Sequence, residues 1–165
     1  MVFQMIKNVI TPREERLLVK ECEQFLNKRK YMHDHWDDVI VGYREIEKLR
    51  TAWSEESQSV LERIVKQLPK REYMPTVHVI DLAPDGFIRP HIDSIKFSGD
   101  IVAGLSLLSP RTMRLQRDNE VIEELLGQRS LYVMQGDIRY DYTHEILPET
   151  LNPQRRLSII FRNVC

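Results

Sequence analysis

Apolar positions along the chain fall first into helical spacing and then, from about residue 76, into the shorter period of strands. Leu18, Cys22, Phe25 and Leu26 recur at three- and four-residue steps behind Thr11-Pro12-Arg13-Glu14. That leading segment is a capping box with proline at the first helical position, so the spacing predicts a sheet-bracing helix over 12–28. Ser54 caps a second helix in which Val60, Leu61, Ile64, Val65 and Leu68 share one face, and Pro69 ends it. Glu55, Glu56, Glu62, Arg63 and Lys66 on its other face read as solvated charge. Between the helices, residues 31–53 are irregular, with a short strand or hairpin expected at Val39–Tyr43. His33, His35 and Trp36 stand there among acids, and with Asp37 and Asp38 beside them they read as a polar loop.

Thr76–Leu82 is β-branched and apolar, and Ala83-Pro84-Asp85-Gly86 behind it has the composition of a turn. Ile101–Leu108 is almost wholly apolar, as a strand buried on both faces should be. Thr112–Arg117 alternates Met113 and Leu115 with Arg114 and Gln116, the pattern of a half-exposed, edge-like strand. Val121–Leu126 is short and ambiguous. Ser130–Met134 and Ile138–Tyr142, joined by Gln135-Gly136-Asp137, predict a hairpin, and Leu157–Asn163 is the last strand. Helices followed by about eight strands predict an α+β protein whose sheet folds on itself as a jelly roll, or double-stranded β-helix. The expected organisation is one domain over 1–165, with helical support and a hairpin in 1–74 and the jelly-roll core in 75–165.

The 165 residues suffice for one sizeable core, and 42% hydrophobic with 30% charged residues is ordinary for a folded domain. No apolar run is long enough to span a bilayer. With 24 basic and 25 acidic side chains the net charge is −1, without the basic excess of nonspecific nucleic-acid binders. Cys22 and Cys165 have no metal or redox spacing and read as free thiols in a reducing compartment. The first residues resemble neither a secretory signal nor a transit peptide, which leaves a cytosolic protein or a chain shown without its presequence.

Candidate chemistry is concentrated in the strand half. In Arg89-Pro90-His91-Ile92-Asp93, extended backbone turns His91 and Asp93 to the same side. With one distant histidine they complete a two-His, one-carboxylate set, which holds iron(II) by one face. His144 is the candidate, although a histidine among apolar neighbours also fits a hydrogen-bonded structural role. Arg156 and Arg162 share a strand face with Ser158 and Ile160, opposite Leu157, Ile159 and Phe161. Two inward arginines require an anion. They lie about 20 Å apart along a strand, a span that two guanidinium arms and a small dicarboxylate would fill. Pairing with protein carboxylates is the alternative. Tyr132, read from the residues alone, is equally a core tyrosine with a satisfied hydroxyl.

His-x-Asp, a distal His and two arginines on the final strand, in that order, resemble the motifs of the AlkB family of iron(II)- and 2-oxoglutarate-dependent dioxygenases. Longer stretches are similar to a mitochondrial branch of that family. Among them are Asp-His-Trp-Asp at 34–37, Gly-Tyr-Arg-Glu at 42–45, His-Ile-Asp-Ser-Ile-Lys-Phe at 91–97 and Ala-Gly-Leu-Ser-Leu-Leu-Ser-Pro at 103–110. Ser-Leu-Tyr-Val at 130–133, Arg-Tyr-Asp-Tyr-Thr-His-Glu-Ile-Leu at 139–147 and Arg-Arg-Leu-Ser at 155–158 extend the similarity. The resemblance implies a double-stranded β-helix with Fe(II) on His91, Asp93 and His144. It also implies that Arg156 and Arg162 hold the ends of 2-oxoglutarate, that Tyr132 donates to it, and that O2 is consumed.

In place of the Asn-x-Tyr pair of the family's nucleic-acid demethylases stand Ile80 and Leu82, and little room exists for a basic nucleotide-gripping lid. Duplex DNA is therefore not expected as a partner. The expected substrate is a protein side chain or other nonduplex molecule, and the enzyme a protein hydroxylase or regulatory oxygenase, a monomer of the mitochondrial matrix that the resemblance links to regulated necrosis and fat metabolism. One alternative is demethylation of single-stranded mitochondrial RNA, for which Arg111, Arg114 and Arg117 are the preferred contact. Another is an iron-binding regulatory scaffold with little turnover.

Overall fold

The computed structural model describes residues 2–33 and 39–165, so His35, Trp36, Asp37 and Asp38 of the expected polar loop lie outside the described residues. In chain order the elements are β1 (Val2–Ile6), α1 (Pro12–Leu26), β2 (Ile40–Leu49), α2 (Glu55–Gln67) and β3 (Thr76–His91). They continue with β4 (Val102–Leu107), β5 (Arg111–Arg117), β6 (Glu120–Leu126), β7 (Leu131–Gln135), α3 (Asp137–Tyr140), β8 (Thr143–Ile146) and β9 (Arg156–Arg162). The strands are hydrogen-bonded in the order β1-β7-β4-β9-β3-β8-β5-β6, and β2 lies on β3.

Strand alternation sorts the buried residues into two layers. Val77, Val79, Ala103, Leu105, Leu157, Ile159 and Phe161 face α1 and α2, packing on Leu18, Cys22, Leu26, Leu61 and Ile64. The intervening residues Ile80, Leu82, Val102 and Ile160 face the other way and meet Met113, Leu115, Tyr132 and Ile146. The molecule is a jelly roll braced by two helices, as the element order predicts. Both helices start as their sequences require. Thr11 and Glu14 cap one another reciprocally, and Ser54 accepts from the Ser57 amide.

Four expectations are corrected. Ala83–Gly86 does not reverse the chain. β3 runs through it, pairing with β9 at His78–Leu82 and with β8 at Ile88 and His91. These residues form a corner over which one strand passes from one layer to the other. Gly42, at φ +69°, lies against Gly86 there, and a Cβ on Gly86 would stand 2.5 Å from the Gly42 carbonyl oxygen. Arg111 fills the corner from inside, donating to the carbonyls of Ala83, Pro84, Gly86, Leu147 and Gln154. It is therefore buried and unavailable to RNA, and β5 is an interior strand between β6 and β8 rather than an edge.

The expected hairpin at 130–142 is also absent. β7 pairs with β1 and β4, whereas β8 pairs with β3 and β5, and α3 carries the chain between them. Ile138 and Arg139 are buried in α3, which anchors the crossover. Fourth, β1 and the ten-residue β2 exceed what residues 1–49 predict, and both join the sheet.

Candidate metal centre and cosubstrate cavity

The β3–β8 ladder sets His91 directly opposite His144, with ring centroids 4.1 Å apart. Asp93 follows two residues past the end of β3 and turns its carboxylate between the rings. Its Oδ1 is 3.4 Å from His91 Nε2 and 3.6 Å from His144 Nε2, and one candidate ligand atom from each residue lies within 4.8 Å of the others. Surrounding groups prepare the set. His91 Nδ1 faces the Arg89 carbonyl at 2.9 Å, which orients the ring with Nε2 toward Asp93. Arg162 Nε donates to Asp93 Oδ2 at 2.7 Å, leaving Oδ1 to the histidines.

Charge states agree with ligation. Burial opposes ionisation of Asp93, but His91, Arg162 and His144 outweigh it and hold the carboxyl well below the usual carboxylate range. Burial, aided by His91, pushes His144 down to about 3, so its ring is neutral and has a lone pair to give. The His144 Nδ1 atom is buried without a hydrogen-bond partner among the described residues. Two imidazoles and one anionic carboxylate oxygen converging in a partly buried place fit a divalent cation of iron type.

On β9, Arg156 is 2% exposed, donates to Ser106 Oγ at 2.9 Å and leaves its Nε unpartnered. It has no ion pair among the described residues, and burial pushes its guanidinium down to about 10. Tyr132 comes from β7. Its ring occupies the space a side chain at Gly104 would need, since a Cβ there would lie 2.2 Å from Tyr132 Cε1. Burial raises the Tyr132 hydroxyl to about 12 and keeps it protonated as a donor. A cavity of about 80 Å³ is lined by His91, Asp93, His144, Tyr132, Arg156 and Arg162 together. Every site residue expected from the sequence thus faces one space. Its remaining wall is mostly apolar, apart from His78 and Ser158, and includes Ile80, one of the two residues standing in the Asn-x-Tyr positions. Leu82, the other, is buried in the core.

Sequence reasoning missed three contributors. His78 places Nδ1 3.3 Å from Arg162 Nη1 and Nε2 2.9 Å from a Glu45 carboxylate oxygen, extending the polar chain from Asp93 outward. Arg139, 1% exposed, donates to the carbonyls of Asp93, Ser94, Ser98 and Gly99, pinning the loop that carries the ligand aspartate. Ser106, in an otherwise apolar strand, is the hydroxyl under Arg156. The alternation of His78 with Val77 and Val79 was the one available signal, because it turns His78 toward the Ile80 face. The remaining members of the expected RNA contact are occupied. Arg114 reaches Glu123 and Glu145, while Arg117 reaches Glu120 and Asp137 and lies over the Tyr142 ring.

No protein-family model matches the chain. Alpha-ketoglutarate-dependent dioxygenase alkB homolog 7, mitochondrial, of Bos taurus is 45% identical over 164 residues, covering 92% of this chain and 73% of the relative. Among solved structures, OsALKBH1 superposes with a TM-score of 0.74 at 12% identity, covering 98% of this chain and 97% of that one. A Pseudomonas putida prolyl-4-hydroxylase gives 0.71 at 15% identity, covering 99% of this chain and 92% of that one.

Proposed function

Because the chain belongs to the AlkB family of alpha-ketoglutarate-dependent dioxygenases, we propose that it is a mitochondrial protein hydroxylase whose iron(II) is held by His91, Asp93 and His144. Bound iron(II), 2-oxoglutarate and oxygen supply an oxidative decarboxylation to succinate and carbon dioxide, coupled to oxidation of a substrate C–H bond. The protein's own residues bind and orient. Arg156, buried without a carboxylate, takes one carboxylate of the cosubstrate, with Tyr132 as a neutral donor beside it. Arg162, expected to hold the other end of 2-oxoglutarate, is engaged by Asp93 and His78, and its part is to fix Asp93 through one oxygen. The apolar lining from Ile80, Val102, Met113, Ile146 and Ile160 keeps water from these charges.

The observation that carries this reading is the unpaired guanidinium of Arg156 in a cavity shared with the two-His, one-carboxylate set. An iron-binding scaffold gains nothing from a buried cation that costs folding energy. RNA demethylation is less well supported, since the arginines expected to grip RNA are buried or paired with acids. The mitochondrial address, and a part in regulated necrosis and fat metabolism, rest on kinship with the bovine relative and the family resemblance.

The test is oxygen-dependent conversion of 2-oxoglutarate to succinate by the iron-loaded protein. Turnover is expected with mitochondrial protein extract, and His91→Ala abolishes it. Wild-type protein that never forms succinate with any extract would move the assignment to a scaffold.

A further inference from the structure

Beside the cavity, and sharing His78, His91, Asp93 and Arg162 with it, opens a groove of about 420 Å³. Its lining carries two kinds of chemistry. One is apolar, from Met74, Ile92 and Phe97, and the last two are 38% and 69% exposed despite their size. The other presents Glu45 and Glu47, alternate residues of β2 whose side chains share a face. The hydrogen bond from His78, acting against burial, keeps Glu45 ionised, and Glu47 is exposed with no ion pair among the described residues. Arg162 is the one lysine or arginine lining the groove among the described residues, and it is engaged by Asp93 and His78.

We propose that this groove receives a polypeptide segment that sets a lysine or arginine against Glu45 and Glu47 and an adjacent apolar side chain against Met74, Ile92 and Phe97. The inference rests on the dioxygenase reading and names the class of substrate that reaches its centre. Charge complementarity selects the occupant, because a phosphodiester chain laid in the same groove would meet two carboxylates and no uncommitted base. The apolar side adds the burial a peptide side chain supplies. The Lys96 ammonium already lies 5.3 Å from the Phe97 ring centroid, so the entering cation is placed at the carboxylates.

Fluorescence anisotropy on protein loaded with Mn2+ and 2-oxoglutarate tests this. The probes are the labelled peptides Ala-Leu-Lys-Phe-Ala and Ala-Leu-Glu-Phe-Ala and a single-stranded oligouridine. The lysine peptide is expected to bind about fivefold tighter than the glutamate peptide, and both to exceed the RNA. Glu47→Lys should invert the peptide preference, an outcome that misfolding cannot produce. Equal binding of the two peptides, an unchanged preference in Glu47→Lys, or tighter binding of the RNA overturns the proposal. Succinate production measured in parallel separates the two levels. Turnover without peptide discrimination removes the substrate class alone, and discrimination without turnover removes the dioxygenase reading alone.

Discussion

A buried arginine with no anion and a single hydrogen bond is costly to fold, and its cost makes it informative. Arg156 keeps one hydrogen bond, to Ser106, and an unpartnered Nε. Replacing it with a methionine of similar length removes a desolvated charge. Arg156→Met should therefore raise the stability of the ligand-free protein by about 1 kcal/mol or more. The same change should weaken 2-oxoglutarate binding on the order of a hundredfold, about 3 kcal/mol, while metal affinity persists. Urea unfolding and calorimetry measure both arms, and a destabilised variant would show that Arg156 is structural. The convergence of Arg156, Arg162, His91, Asp93 and His144 on one space was legible from the sequence, through strand parity together with the order of the family's motifs. Arg139 and Ser106 were not. Their partners are a backbone carbonyl set and a single guanidinium brought close only by the fold.

At the level of elements, the sequence showed where strands lie better than where the chain turns. Ala83-Pro84-Asp85-Gly86 has turn composition because β3 must bend there, and composition alone does not separate a bend from a reversal. What decides is Arg111, distant in sequence, whose guanidinium collects carbonyls from both sides of the corner. Arg111→Lys keeps the charge but loses the planar fork of donors. It is expected to cost about 3 kcal/mol in urea unfolding, since several buried carbonyls lose their donors. A surface arginine would tolerate the same exchange, so an unchanged midpoint would refute the staple.

The helices carry a second element-scale prediction. Arg63 of α2 grips Glu14 of α1 through both carboxylate oxygens, and chiefly through those hydrogen bonds lowers its pKa from 4.5 to about 2. The folded state thus binds this proton less readily than the unfolded state. The contribution is complete above the unfolded value of about 4.3 and disappears as pH falls through the folded one. Glu14→Gln should lower stability most near neutrality, and the gap from wild type should close as pH approaches about 2. Urea midpoints across that range would show it, and a constant gap would mean the contact acts without its charge.

Across the whole molecule, the two buried layers are unequal. The layer between sheet and helices is mainly apolar, with Asp81 buried there in ion pairs to Arg44 and Arg155, whereas the layer between the sheet halves gives space to the cavity with its arginine, histidine and aspartate. A strand such as β4, buried at every residue, offers no pattern telling which face meets which layer, and so this division was not legible beforehand. It has a thermodynamic consequence. The ligand-free molecule is weakest between its sheets, and the residues proposed to hold metal and cosubstrate come from β3, β7, β8, β9 and the loop after β3. Ligands that bind only this arrangement add stability by mass action, about 2.7 kcal/mol at a hundredfold excess over Kd. For a chain of this size, Tm should rise about 5–10 °C with Mn2+ and 2-oxoglutarate together. His91→Ala should lose the metal-dependent part of that rise, and Arg156→Met should lose only the increment from 2-oxoglutarate. Identical losses in the two variants would mean that metal and cosubstrate do not occupy separate ends of the cavity.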